Sequence, residues 1–190
     1  MSEEKSALRQ RVRRQISELE ERYISSSDRG IMQNVLDLAE FIGATRVFAY
    51  AAMGRECATA GLIRSAVSAG KAVGLPRALG RGRMVFARYA GELATGRYGI
   101  PEPPEGSGML EPGAGDVVIV PALCCDVEGC RLGQGGGYYD RLLPGCAAVS
   151  VALCRERLLQ KKLPREWNDF PVDIVVTEER VLRVSYGGPK

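Results

Sequence analysis

Apolar residues near the start of the chain recur at helical intervals. Leu8, Val12, Ile16 and Leu19 are spaced by four, four and three, the stripe that one face of an α-helix buries, and they predict a helix over 4–22. Lys5 and Arg9 lie one turn apart and project from one side of it. A second stripe, Ile31, Val35, Leu38 and Ala39, predicts a helix capped near Ser27 or Asp28. Strand patterns follow at Arg46–Tyr50, Lys71–Pro76 and Met84–Tyr89, the last expected at a sheet edge. Thr59 is the expected N-cap of a helix through Ser68, which Gly70 closes.

Val117–Val120 has the fully apolar character of a buried parallel strand. Tyr138–Leu143 predicts a helix, Ala147–Leu153 a strand, and Ile174–Thr177 the last strand. The stretch 91–115, rich in Gly, Pro and Glu, has no period and is expected to be one long loop. Alternating strands and helices predict an α/β fold: a single three-layer α/β/α domain over 1–190, its central sheet mostly parallel and covered by helices on both faces. Ligands of such sheets bind at the carboxyl ends of strands, and the loops 51–58 and 121–137 both leave strands there.

Composition narrows the chemistry. At 190 residues, 45% hydrophobic and 26% charged, the chain can bury a sizeable core as one domain. A net charge of +3 is too small to imply nucleic acid. The longest apolar run is too short to cross a bilayer, and no secretory signal opens the chain. A cytoplasmic protein without nucleic-acid or membrane partners is therefore expected. The six cysteines form no CxxC pair, and the chain has no histidine. That excludes Ser-His-Asp and Cys-His catalysis and removes the commonest metal ligand. Any metal must be held by oxygen, which points to magnesium.

The most informative segment is Arg131-Leu-Gly-Gln-Gly-Gly-Gly-Tyr-Tyr-Asp140, which sets Gly133, Gly135, Gly136 and Gly137 between a cation and an acid. Successive glycine amides form a concave anion site, reinforced by the dipole of a following helix. Arg131 can fork onto phosphate oxygens, and Asp140 can hold a hard divalent ion against them. It is not a P-loop, because no GxxxxGK[ST] occurs. Nor is it a dinucleotide fingerprint, since after Gly133 and Gly135 the third position is Tyr138.

Extended to 120–143, this segment resembles the signature of the 5-formyltetrahydrofolate cyclo-ligase family. Lys5-x-x-Leu-Arg9, Glu56-x-x-Thr59, Tyr98-Gly-Ile-Pro-Glu-Pro103 and Leu163-Pro-x-Glu-x-Asn-Asp169, leading to Val172–Glu178, agree in the family's order. The resemblance implies ATP-dependent closure of 5-formyltetrahydrofolate to 5,10-methenyltetrahydrofolate through phosphorylation of the formyl oxygen, with ADP and phosphate released. It implies an ATP site at Lys5, Arg9, Arg131, Leu132, Gly133, Gln134, Gly135, Gly136, Gly137, Tyr138 and Tyr139. Arg131 and Asp140 would be catalytic, and Asp140 and Asp169 would hold Mg2+. Folate would contact Ala51, Glu56, Tyr98 and the Gln134–Tyr138 stretch, with Glu56 accepting paired hydrogen bonds from the pterin. Both partners are small molecules, and a monomer is expected. Trp167 is expected to pack in the core or a lid. The alternative is a folate- or nucleotide-binding protein without turnover. The sequence departs from the family pattern at Cys57-Ala58, at Cys124-Cys125 and at Asn168.

Overall fold

The computed structural model describes residues 3–80, 82–96 and 99–184. It opens with α1 (Glu3–Glu18), α2 (Glu21–Leu36) and a short α3 (Ala39–Gly43). Then come β1 (Arg46–Phe48), α4 (Ala60–Ser68), β2 (Ala72–Gly80) and β3 (Arg83–Arg88). The segment expected as one loop carries three two-residue strands, β4 (Ala94–Thr95), β5 (Pro101–Glu102) and β6 (Met109–Leu110). After β7 (Val117–Val120) come a small hairpin, β8 (Cys124–Cys125) with β9 (Arg131–Leu132), and then α5 (Tyr138–Leu142). β10 (Val149–Leu153), β11 (Ile174–Val176) and β12 (Val181–Arg183) complete it.

One eight-stranded sheet runs in the order β12-β11-β10-β7-β1-β2-β3-β6. Its centre, from β11 to β2, is parallel, and β12, β3 and β6 are antiparallel additions. Residue parity sorts the core onto two faces, as a pleated strand requires. Val47, Val117, Ile119, Val151, Leu153, Ile174 and Val176 pack with Ile31 and Val35 of α2, Phe41 of α3 and Leu62 of α4. Phe48, Val118, Val120, Ala152 and Val175 pack with Leu8 and Val12 of α1, the β8–β9 hairpin and Leu143. The expected three layers are therefore present.

Several local expectations are corrected. The second helix begins at Glu21 with Glu20 as its N-cap, so Ser27 and Asp28 lie inside it. Thr59 occupies the cap position of α4 without capping it; its hydroxyl donates to the Tyr50 carbonyl at 2.6 Å and accepts from the Ala52 amide at 3.2 Å. The third strand is not the edge, because β6 pairs outside it, and Ile174–Val176 is not the last strand, because β12 follows. Trp167 is 98% exposed and belongs to no core.

The pair Phe48–Phe86 anchors the α1 face, with ring centroids 4.9 Å apart in an edge-on arrangement and both residues buried. Phe48→Ala removes an aromatic from a close-packed site and is expected to cost about 3–5 kcal/mol, read from the shift of the denaturant midpoint. An unchanged midpoint would contradict this packing.

Candidate functional site

β1 continues through α4 to β2 on one side, whereas β7, its other neighbour, continues through α5 to β10 on the opposite side. The loops leaving β1 and β7 diverge at this point, which opens a crevice beyond the strand ends where open α/β sheets bind ligands. A cleft of ≈ 530 Å³ lies there. Met53, Gly54, Arg55, Glu56 and Cys57 of the β1 loop line it, with Gln134 of the glycine loop and Arg13 of α1.

The β1 loop is tied down from several directions. Tyr50 donates its hydroxyl to the Cys57 carbonyl at 2.9 Å. Arg55 reaches the C-terminal end of α1, where it donates to the Ile16 carbonyl at 3.0 Å and to the Leu19 carbonyl, a placement the helix dipole favours. Glu56 accepts from the Met53 amide at 3.0 Å and is half-buried. Ala51, directly beyond β1, is half-buried too, but it does not line the cleft.

The glycine loop is built on Asp126, which is fully buried. Its carboxylate accepts from the amides of Glu128, Cys130 and Leu163 at 2.9–3.0 Å, which closes the β8–β9 turn and delivers Arg131 to its position. Arg131 donates to the Phe170 carbonyl at 2.6 Å and to Asp140 at 2.9 Å. Along the loop, carbonyls are taken by cations: Arg9 Nε donates to Gly133 O at 2.9 Å and Arg141 Nη2 to Gly136 O at 2.5 Å. Among the described residues, the amides of Gly133 to Gly137 donate no hydrogen bond. Gly137 takes φ +63° at the start of α5, and a Cβ on Gly136 would lie 2.7 Å from the Tyr138 ring, so side chains are excluded at both positions. α5 has only five residues. Few peptide dipoles align in so short a helix, so attraction for an anion rests on the loop amides and the cations.

Lys5 is buried on α1 and pairs with Asp169 and, at 3.6 Å, with Glu166. Lys5, Arg9, Arg131, Asp140 and Asp169 thus come together through direct contacts between α1, the glycine loop and the 163–170 segment. Gln134 follows Gly133, whose carbonyl Arg9 holds, and lines the cleft, where Arg13 Nη2 donates to its Oε1 at 2.8 Å. Leu132 is buried in the core, and the Tyr139 hydroxyl is buried without a hydrogen-bond partner. Burial pushes the Tyr139 phenol well above its ordinary pKa, so it remains a proton donor. Tyr98 lies outside the described residues.

Two features escape sequence reasoning. Arg13 is one more cation on a basic helix face, with no local pattern marking it. Arg155, buried after β10, donates to the carbonyls of Arg55 and Glu56 and pairs with Asp28 at 2.6 Å. Burial raises the Asp28 carboxyl pKa, and the Arg155 guanidinium opposes that shift.

All six cysteines are free thiols and buried. Burial pushes Cys130 up to about 11 and Cys124 up to about 12, and it raises Cys57 further. Thiols held protonated are poor nucleophiles at neutral pH. A thiol reagent at pH 8 is expected to leave the folded protein essentially unlabelled and to titrate all six cysteines after denaturation. Rapid labelling of the native protein would contradict this picture.

Residues 1–178 match the family model described as the 5-formyltetrahydrofolate cyclo-ligase family. Over 148 residues the chain is 33% identical to the 5-formyltetrahydrofolate cyclo-ligase of Mycolicibacterium smegmatis, covering 73% of this chain and 76% of that one. Over 134 residues it is 36% identical to the enzyme of the same name from Escherichia coli K12, covering 66% and 74%. Among solved structures, the 5,10-methenyltetrahydrofolate synthetase of Aquifex aeolicus superposes with a TM-score of 0.83 at 29% identity, covering 98% of this chain and 95% of that one.

Proposed function

This chain belongs to the 5-formyltetrahydrofolate cyclo-ligase family, and on that premise we propose that it closes 5-formyltetrahydrofolate to 5,10-methenyltetrahydrofolate while converting ATP to ADP and phosphate. One observation carries the reading. The cleft at the switch point brings Glu56 and the glycine-loop residue Gln134 to the same space, where a folate and a nucleotide phosphate have to meet.

The chemistry follows from the weak electrophilicity of a formamide. Its oxygen attacks the terminal phosphorus of ATP, and the bond to ADP breaks. The second folate nitrogen then bonds to the activated carbon, the C–O bond breaks, phosphate leaves with the electron pair, and the nitrogen loses its proton to solvent. Such a sequence asks chiefly for positioning and charge neutralisation. Lys5, Arg9 and Arg131 supply positive charge beside the loop, and the undonated glycine amides supply hydrogen bonds. Glu56 accepts from the pterin N–H groups and sets the formyl oxygen toward the loop.

Asp140 and Asp169 are hard oxygen donors suited to magnesium. Among the described residues no cluster of three or more acids, cysteines or histidines could hold an ion alone. Two carboxylates completed by phosphate oxygens and water match magnesium's preference. When bound, the ion neutralises phosphate charge. Each of these carboxylates is already paired with a buried cation. Mg2+ without nucleotide is therefore expected to bind weakly, and ATP to tighten it, as calorimetry would read.

The deciding experiment follows methenyl-folate absorbance after 5-formyltetrahydrofolate is added. A rise that requires both ATP and Mg2+ is expected. Tight folate binding with no ATP consumed would instead identify a binding protein.

A further inference from the structure

We propose that Arg155 is a positioning residue for folate recognition, acting by holding the Glu56 loop in its binding shape; this rests on the reading that Glu56 receives the pterin. Arg155 is 2% exposed and lines the cleft. Its guanidinium addresses three consecutive loop residues: Nη1 donates to the Arg55 carbonyl at 3.0 Å and meets Cys57 Sγ at 3.6 Å, and Nη2 reaches the Glu56 carbonyl at 3.4 Å. The opposite side is anchored in α2, where Nε donates to Ser27 Oγ at 3.1 Å and Nη2 to Asp28 Oδ1 at 2.6 Å.

A buried guanidinium is costly unless its charge is matched and its donors are used, and here both conditions hold. Its planar fork fixes directions that a flexible ammonium does not. The loop carbonyls are thereby drawn inward against α2, while the Glu56 side chain closes on the Met53 amide of the same loop. Arg155 makes none of the contacts around Lys5, Arg131, Asp140 and Asp169 that form the proposed phosphate cluster. Its hydrogen bonds go instead to Ser27 and Asp28 of α2 and to residues 55–57, so its effect is expected to fall chiefly on folate.

Arg155→Lys tests this, because it keeps the charge opposite Asp28 but cannot span the carbonyls. Loss of the loop contacts is expected to raise the KM for 5-formyltetrahydrofolate about tenfold, with the KM for ATP and kcat changed less than about twofold. In a Glu56→Gln background the same change should add less than about twofold, since both variants then act through one lost contact. An equal rise in both backgrounds, a parallel rise in the KM for ATP, or an unchanged folate KM would overturn the proposal. A Glu56→Gln variant with normal folate KM would show that the underlying site reading fails, and the proposal with it. Should Arg155→Lys not fold, Asp28→Asn keeps shape and acceptor while removing the countercharge. A folate KM raised about threefold at constant ATP KM is then expected, and no change overturns the inference.

Discussion

Asp140→Asn is expected to lower turnover by about 10²–10³-fold while the protein stays folded. The amide keeps the carboxylate's shape, and its oxygen can still accept from Arg131, which holds Asp140 at 2.9 Å. What disappears is the negative charge, and with it the hard ligand proposed for magnesium. Asp140→Ala adds a second cost, because Arg131, with its side chain 4% exposed, then loses a partner, worth about 1–3 kcal/mol. The measurements are kcat for methenyl-folate formation and the denaturant midpoint of each variant. Full turnover by Asp140→Asn would remove Asp140 from the metal assignment.

Arg131→Lys is expected to cost about 10²-fold in kcat/KM for ATP, although charge is conserved. Arg131 spans two acceptors, the Phe170 carbonyl at 2.6 Å and Asp140 at 2.9 Å, and so ties the glycine loop to the 163–170 segment. Arg131 uses separate nitrogens, Nη1 for Phe170 and Nη2 for Asp140, and a lysine with a single nitrogen has no planar fork to span them. The loss should appear in the steady-state dependence on ATP, with the KM for 5-formyltetrahydrofolate nearly unchanged. A variant as active as the parent would mean that the fork does no more than close the loop.

Where local chemistry and tertiary demand coincide, the sequence is legible. The stripe on α1 buries Leu8 and Val12 as its spacing requires, and the apolar run 117–120 is buried throughout. Where they conflict, tertiary contacts win. The Ser25-Ser-Ser-Asp28 cluster has cap chemistry, yet it lies within α2. Ser26 and Ser27 donate back to the carbonyls of Tyr23 and Ile24, which lets hydroxyls survive inside a helix. Asp28 is claimed by Arg155, a residue 127 positions away. The strands in 91–115 are two residues long, below what any periodicity can register; β6 forms on the ladder that β3 offers, and β4 and β5 pair with each other. Trp167 carries an apolar ring, but its loop passes where no second surface covers it.

By itself the sequence determined the layered α/β architecture and the composition of the glycine loop, because hydrophobic periodicity and glycine's missing Cβ act over a few residues. It also carried the family resemblance, through motifs spread from Lys5 to Glu178. Only the tertiary structure decided which cation meets which acid, that Arg13 steadies Gln134, and that Arg155 clamps the Glu56 loop. Those pairings depend on strand order and on burial. Removing a charge from water makes its partner obligatory, and chain folding alone chooses which partner is near.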